Sequence, residues 1–424
     1  MRKDYTLAIN MKSIVEEERK IDVAAEVDVV VAGGGPAGLA AATAAARCGA
    51  ETILIERFGY LGGLATGGLV ICLVETDRYG YGICRELVDG LDDLKAAKLN
   101  KASGETPRWT EGASFSGEEN WNFDPQVFKF LADKLVTESG ADMLLHSYVA
   151  APVVKGNEVK GVIVEGKSGR QAILGKVVVD STGDADISAA SGAPFNLDRH
   201  PWGIDLEYRV GNVDLEKAVR WRNENQATFE KLMKELGKDA ATVSWGGDVN
   251  KGVIWGHGPR FFDVDGINVR HLTKVEVESR KKIVEALEFY RRHVPGFEDA
   301  FVLEFAPQMG IRETRRIVGG YTLTKEDAVS GRRFDDAVAR GPFDVPYRCL
   351  VPKEVDGLIV AGRCISTTHE AHGVIRNIPP CLITGQAAGT AAALTSKKGV
   401  KPRKLDVHIL REALVKQGFN LKAS

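Results

Sequence analysis

The sequence predicts an α/β fold: a doubly wound, largely parallel sheet, interrupted by a second domain of mixed α+β character. Three observations carry this expectation. Val27–Ala32 (VDVVVA) is an unbroken β-branched run of the kind buried on both faces of a parallel sheet. A glycine turn, a small-residue stretch from about Pro36 to Cys48 and a second buried run, Thr52–Glu56 (TILIE), complete a βαβ unit. Two further buried runs, Lys176–Asp180 (KVVVD) and Gly357–Gly362 (GLIVAG), offer strands to the same sheet from distant parts of the chain.

Composition bounds what the fold can serve. The 424 residues are 44% hydrophobic and 27% charged, as in an ordinary globular protein, and are enough for two or three domains. Lys plus Arg (56) against Asp plus Glu (58) leaves a net charge of −2, so no broad field favours nucleic acid or an anionic membrane. No segment reaches the ~20 apolar residues of a spanning helix. The first twenty residues are interrupted by charge and hold no apolar signal region. The six cysteines show no C-x-x-C and no regular spacing, and read as reduced thiols of a cytoplasmic protein.

Along the chain, residues 1–26 read as an arm, 27–190 as the first part of the sheet domain, 191–345 as the second domain and 346–424 as the returning second part. Helices are expected at about 82–98 and 125–139, with a polar segment over 101–122 that holds Trp109 and Trp121. Residues 143–180 alternate short apolar segments with turn signals at Gly156-Asn157 and Ser168-Gly169, which predicts an antiparallel meander. The second domain is expected to carry long polar helices at about 213–236 and 273–293 and strand-like pieces such as Phe261–Val264.

The first chemical signal is Gly33-x-Gly35-x-x-Gly38, placed between the first strand and the first helix. One glycine makes the tight turn, one admits a pyrophosphate to the backbone, and one lets helix and strand pack closely. The helix start offers free N–H groups and the positive end of a dipole, and Pro36 suits its first turn. Glu56 ends the second strand, where a carboxylate accepts from adenosine ribose hydroxyls and repels a 2′-phosphate. Together these predict an ADP-containing dinucleotide and leave open which one.

Five stretches then resemble the glutathione-reductase-type FAD proteins, and most of all the widespread FAD-dependent oxidoreductase family. They are residues 28–46, 54–63, 177–193, 309–324 (MGIRETRRIVGGYTLT) and 357–393 (GLIVAGRCISTTHEAHGVIRNIPPCLITGQAAGTAAA). The resemblance implies a Rossmann-like FAD/NAD(P)-binding domain of the glutathione-reductase type with a mixed α+β substrate domain, and FAD bound in extended form. It assigns cofactor contacts to Gly33, Gly35, Pro36, Ala37, Gly38, Glu56 and Arg57. Gly62, Gly63, Leu64, Ala65 and Thr66 follow, where the family runs its backbone along the flavin. Val149 is similar in position to adenine-contacting residues, and Thr182-Gly183-Asp184 resembles the motif that meets the ribityl or pyrophosphate region. Gly362, Arg363, Arg376 and Ile378 complete the set, with the helix after Pro379-Pro380 pointing its N-terminus at the flavin N1–C2=O edge.

Departures narrow the chemistry. Cys72 and Cys84 lie twelve residues apart, unlike a redox pair, and a second GxGxxG for a nicotinamide cofactor is missing. Gly362-Arg363-Cys364-Ile365-Ser366 stands where aromatic hydroxylases carry GDAAH. In the loop Thr368–Gly373, His369 and His372 lack the HExxH spacing of a zinc site, and no metal is expected. Each histidine takes a substrate proton or only holds the loop. Arg376 binds an anionic substrate, shields the flavin edge or forms a structural ion pair. Arg312, Glu313, Arg315 and Arg316 read as an ion-pair network at a domain junction more than as substrate clamps. Trp245, Trp255 and His257 either line the substrate side or belong to the core.

The expected function is hydride transfer between a small organic substrate and noncovalent FAD, catalysed with His369, His372 and Arg376. Electrons then pass to oxygen, a quinone or a protein carrier. The alternatives are a flavin-dependent monooxygenase and a flavin electron-relay subunit of a complex.

Overall fold

The computed structural model describes residues 14–101, 119–198, 202–246 and 248–421. Half of the expected N-terminal arm, and Trp109 with most of the polar segment around it, lie outside the described residues. The chain adopts a mixed α/β fold with a parallel-strand sheet at its centre. That sheet is formed by β1 (Asp22–Ala32), β2 (Thr52–Ile55), β3 (Asp142–Leu144), β4 (Tyr148–Lys155), β5 (Glu158–Gly166), β6 (Gly169–Asp180) and β7 (Leu358–Val360). Its order is β3-β2-β1-β6-β5-β4, with β7 also on β6.

β1, β2, β3, β6 and β7 run parallel, and β4, β5 and β6 form the antiparallel meander. The twelve-residue β6 serves two partners on one edge. Its first half pairs β5 through Leu174, and its last three residues pair β7. β1 is likewise longer than the buried run suggested. Its first residues, from Asp22, pair the exposed start of β6 and need no apolar pattern to do so.

Helix α1 (Pro36–Arg47) packs on α4 (Ile378–Lys398), which follows the short α3 (His369–Ile375). α1 and α4 meet with backbones almost touching. A Cβ on Gly385 would lie 2.1 Å from the Ala37 carbonyl oxygen, and one on Gly389 would lie 2.0 Å from that of Ala41. The glycine and alanine richness of both segments is therefore a packing requirement. α1, α4 and one sheet face enclose the largest apolar core, and the meander covers a smaller cluster built on Val30, Ile53, Val162 and Val178.

Residues after Phe195 build a separate four-stranded sheet, in the order Thr242–Val243, Ile254–His257, Glu207–Gly211, Phe301–Phe305. The 25-residue helix α2 (Val269–His293) packs beside it, over a core that includes Leu206, Tyr208, Ile254, Ile283 and Tyr290. Three expectations are corrected here. Phe261–Val264 is no strand; only Phe261 makes a bridge, to Ile204. The helix expected at 213–236 breaks at Asn225 into Leu215–Glu224 and Gln226–Leu236. The helix from Gly82 ends at Asp93, because Ala97–Lys101 is taken up as a strand against Glu119–Phe123. All six cysteines are free thiols. Among the described residues no helix is long and apolar enough to cross a membrane.

Candidate active site

A cleft of about 910 Å³ opens along the carboxyl ends of β1, β2, β6 and β7. This is where a doubly wound sheet presents ligand sites, because the loops leaving neighbouring strands part there. Gly33, Gly35, Pro36 and Ala37 supply the wall after β1, and Glu56 and Arg57 the wall after β2. Gly63 and Leu64 come from the glycine-rich loop, and Tyr148 and Val149 from the start of β4. Thr182 and Gly183 follow β6, Gly362 and Arg363 follow β7, and Arg376 and Ile378 close the far end. Fifteen of the residues expected from the sequence thus share one wall, and the glycine turn and the start of α4 face the same space.

The glycine turn has the geometry its motif demands. Gly33 has φ +100°, and a Cβ there would press on the Ser181 carbonyl. Gly38 does not line the cleft: a Cβ would lie 1.7 Å from the Gly33 carbonyl oxygen, so this glycine seats the helix on the strand. Glu56 closes the turn, with Oε2 accepting from the Gly34 N–H at 2.6 Å and Oε1 from the Phe58 N–H at 2.8 Å. Burial nonetheless raises its pKa above the usual carboxylate value.

Four expected contacts sit behind the wall. Gly62, at φ +98°, donates its N–H to the Gly34 carbonyl. Ala65 is buried beneath it, and the Thr66 hydroxyl donates to the Leu61 carbonyl at 2.6 Å. They shape the loop, and Gly63 and Leu64 meet the cleft. Asp184 is also turned away. Its Oδ1 takes Arg363 Nη2 at 2.9 Å and the Thr314 hydroxyl, and it is not among the residues that line the cleft.

Beside Arg376 stand Trp202, His369 and the buried carboxylate of Glu313. His369 Nδ1 lies 2.7 Å from Glu313 Oε2, so this nitrogen carries the proton and Nε2 is the acceptor of the neutral ring. Its ring leans on Trp202 at 4.8 Å, and the Arg376 guanidinium lies 5.3 Å from the same indole. His372 differs. It is fully buried and donates from Nε2 to the Arg363 carbonyl at 3.0 Å; neither histidine is among the residues that line the cleft. Burial, helped by Arg376, Arg316 and Arg363, holds its pKa well below the usual histidine value. Of the two roles expected for His372, its burial and its bond to the Arg363 carbonyl fit the one of holding the loop. Burial and Arg312 pull Arg376 down to about 10.

The arginine run is an ion-pair network, as its density suggested. Arg312 takes both oxygens of Asp205 at 2.6 and 2.7 Å, Arg315 meets Asp186 at 2.5 Å, and Arg316 meets Asp198 and Glu313. Asp205 and Glu207 went unnoticed in the sequence, together with the bond from His257 Nδ1 to Glu207 Oε1 at 2.7 Å. The signal was present: in Ile204–Arg209 (IDLEYR) charge falls on every second residue, yet all six positions are buried. Two groupings, Asp198/Glu313/His369 and Asp205/Glu207/His257, have a cation's ligand types within 4.8 Å. In both, an arginine already neutralises the carboxylates.

A parallel sheet whose carboxyl edge opens on one cleft, with a glycine turn at one end and a helix start at the other, is an arrangement suited to a dinucleotide. The chain belongs to the FAD dependent oxidoreductase family, whose model matches residues 28–345 and 339–414; it is an FAD enzyme of oxidoreductase type. The residues present fit that cofactor. Arg363 Nη1 and Gln308 Oε1, on residues that line the cleft, are buried without a hydrogen-bond partner.

Digeranylgeranylglycerophospholipid reductase 2 of Methanopyrus kandleri is 26% identical over 195 residues, covering 45% of this chain and 46% of that protein. Thiamine thiazole synthase of Methanococcus vannielii is 30% identical over 175 residues, 38% of this chain and 58% of that one. The chain thus spans about half the length of these curated relatives. Among solved structures, a geranylgeranyl bacteriochlorophyll reductase-like protein from Thermoplasma acidophilum superposes with a TM-score of 0.52 at 16% identity, over 93% of this chain and 84% of that one. The p-nitrophenol 4-monooxygenase of Pseudomonas putida gives 0.51 at 14% identity, over 93% and 85%. Such likeness establishes the fold.

Proposed function

We propose that the protein transfers hydride between a small organic substrate and noncovalently bound FAD, which lies extended along the cleft in the glutathione-reductase manner. The observation that carries this reading is the single cleft reached by both the Gly33–Ala37 turn and the Arg376–Ile378 segment. The turn and the α1 start would hold the pyrophosphate, Glu56 the adenosine ribose, and Tyr148 and Val149 the adenine side. Gly362, Arg363 and the start of α4 would hold the flavin end. FAD supplies a two-electron, hydride-accepting centre that oxygen, a quinone or a protein carrier reoxidises.

The protein's own part is proton handling and positioning. A substrate O–H or N–H gives its proton to His369 Nε2, and Glu313 stabilises the resulting imidazolium through Nδ1. His372 fixes the carbonyl of Arg363 and so the wall beside the flavin end. Residues 191–345 form the substrate domain, with Trp202 bounding the reaction space. The partners in this reading are the small substrate and the electron acceptor. The curated relatives named as reductases allow the same residues to run in the opposite sense, delivering a proton while hydride goes to substrate.

The test is anaerobic bleaching of the bound flavin by a panel of alcohols, amines and acids, followed by reoxidation with oxygen, quinones and carrier proteins. Bleaching by a substrate with an oxidised product of unchanged oxygen content is the expected result. Protein that stays colourless with excess FAD would overturn the reading. A hydroxylated product formed in step with an added reductant would replace it with the monooxygenase.

A further inference from the structure

The arginines at the flavin end of the cleft are nearly all answered by acids. Arg312 has Asp205 at 2.6 Å, Arg315 has Asp186 at 2.5 Å, Arg316 has Glu313 at 2.8 Å, and Arg363 has Asp184 at 2.9 Å. Arg376 lines the cleft and has no carboxylate within 4 Å among the described residues. The acid whose charge it senses most, Glu313, is already engaged by Arg316 and His369. A half-buried guanidinium among other cations favours an anion, because a partly desolvated charge without a counter-charge is unfavourable.

We propose that the anion is the carboxylate of the substrate, so that the enzyme acts on small organic acids; this rests on the proposed function. Three features favour a carboxylate held for reaction. The Trp202 indole lies 5.3 Å from the guanidinium carbon, within cation–π range. A planar guanidinium presents paired N–H groups that match a carboxylate's two oxygens. His369 leans on the same indole at 4.8 Å, so an acid anchored by Arg376 brings its neighbouring carbon and its O–H or N–H towards the proton acceptor. With FAD bound, the cofactor would accept the substrate C–H as hydride while His369 takes the O–H or N–H proton, giving the keto or imino acid. The carboxylate itself is unchanged.

The experiment pairs small 2-hydroxy, 2-amino and dicarboxylic acids with their methyl esters, added anaerobically to the FAD-loaded protein. Perturbation and bleaching of the flavin absorption are read for the wild type, R376K and R376Q, with FAD stoichiometry and far-UV dichroism as controls. The expected result is that one or more acids act while their esters are roughly 30-fold weaker or silent. R376Q should keep its full complement of FAD and lose the acid response to a similar extent, and R376K should recover part of it. Acids and esters acting alike, or no acid acting, would overturn the proposal. So would a folded R376Q that cannot hold FAD, since the arginine would then serve the cofactor. Wild-type protein unable to hold FAD would instead sink the proposed function beneath it.

Discussion

His369 and His372 stand three residues apart on one short helix, share Glu313 and do different work. His369 is one-third exposed with a free Nε2, whereas His372 is sealed and spends its only proton on a backbone carbonyl. His369→Ala should lower turnover by about 10²–10⁴-fold with little change in melting temperature. His372→Ala should show its main effect in stability, by about 1–3 kcal/mol, through the unpaired Arg363 carbonyl and the space left behind. Paired steady-state kinetics and thermal unfolding check this; equal loss of turnover without loss of stability in both would contradict it. The sequence presented the two histidines as equivalent, because neighbours in a loop say nothing about which one a core will swallow.

Glu75 is a second residue the sequence did not announce. Its side chain has no exposed surface, its closest cation is Arg78 at 3.6 Å, and Asn377 touches it at 3.5 Å. Burial lifts its pKa from about 4.5 to about 7. The folded state therefore prefers the protonated form. That contribution is complete below pH 4.5 and is lost as pH rises towards 7, because the unfolded chain gives up the proton first. Glu75→Gln should be more stable than the wild type at pH 8 and should narrow the difference in melting temperature between pH 5 and pH 8. A variant less stable than the wild type at both pH values would refute the assignment.

At the scale of elements, the readable signals were those that depend on near neighbours in the chain. The β-branched runs became β1, β2, β6 and β7, and the turns at Gly156-Asn157 and near Ser168-Gly169 gave the meander. The strands of the second sheet were not readable, because Thr242–Val243 and Ile254–His257 are only two and four residues long. So short a run carries no period, and pairing defines it instead: the two strands pair with each other, and the second also pairs with Glu207–Gly211. The α1–α4 contact gives a prediction at this scale. Gly385→Ala inserts a methyl against the Ala37 carbonyl and should destabilise by about 1–3 kcal/mol, with weaker FAD retention because Ala37 lines the cleft. Chemical denaturation and a cofactor titration on the same protein measure both; unaltered stability would mean the helices separate freely.

In the whole molecule, the site is assembled across the joint between the two sheets. Asp205, Asp198 and Asp184 answer Arg312, Arg316 and Arg363 from segments far apart in sequence, which is why single motifs could mark the cofactor turn and not the reaction chamber. Arg312→Ala would leave Asp205, fully buried, with only Arg260 at 3.7 Å and His257 at 4.0 Å nearby. It should cost about 3–5 kcal/mol. Replacing both partners, as in Asp205→Asn with Arg312→Met, should recover much of that loss. Urea unfolding of the single and double variants tests the coupling, and additive losses would argue against a shared pair.

The divided edge of β6 has a consequence for how the protein is made. A ribosome releases the first 180 residues with the place for β7 vacant and the apolar flank of α1 bare, and the pieces that cover them, Leu358–Val360 and α4, emerge only near the end of translation. Until then the nascent chain carries an open, sticky strand border. Its yield in a cell should therefore depend on chaperone supply more than its final stability would suggest, and polypeptides cut short before residue 358 should collect in the insoluble fraction.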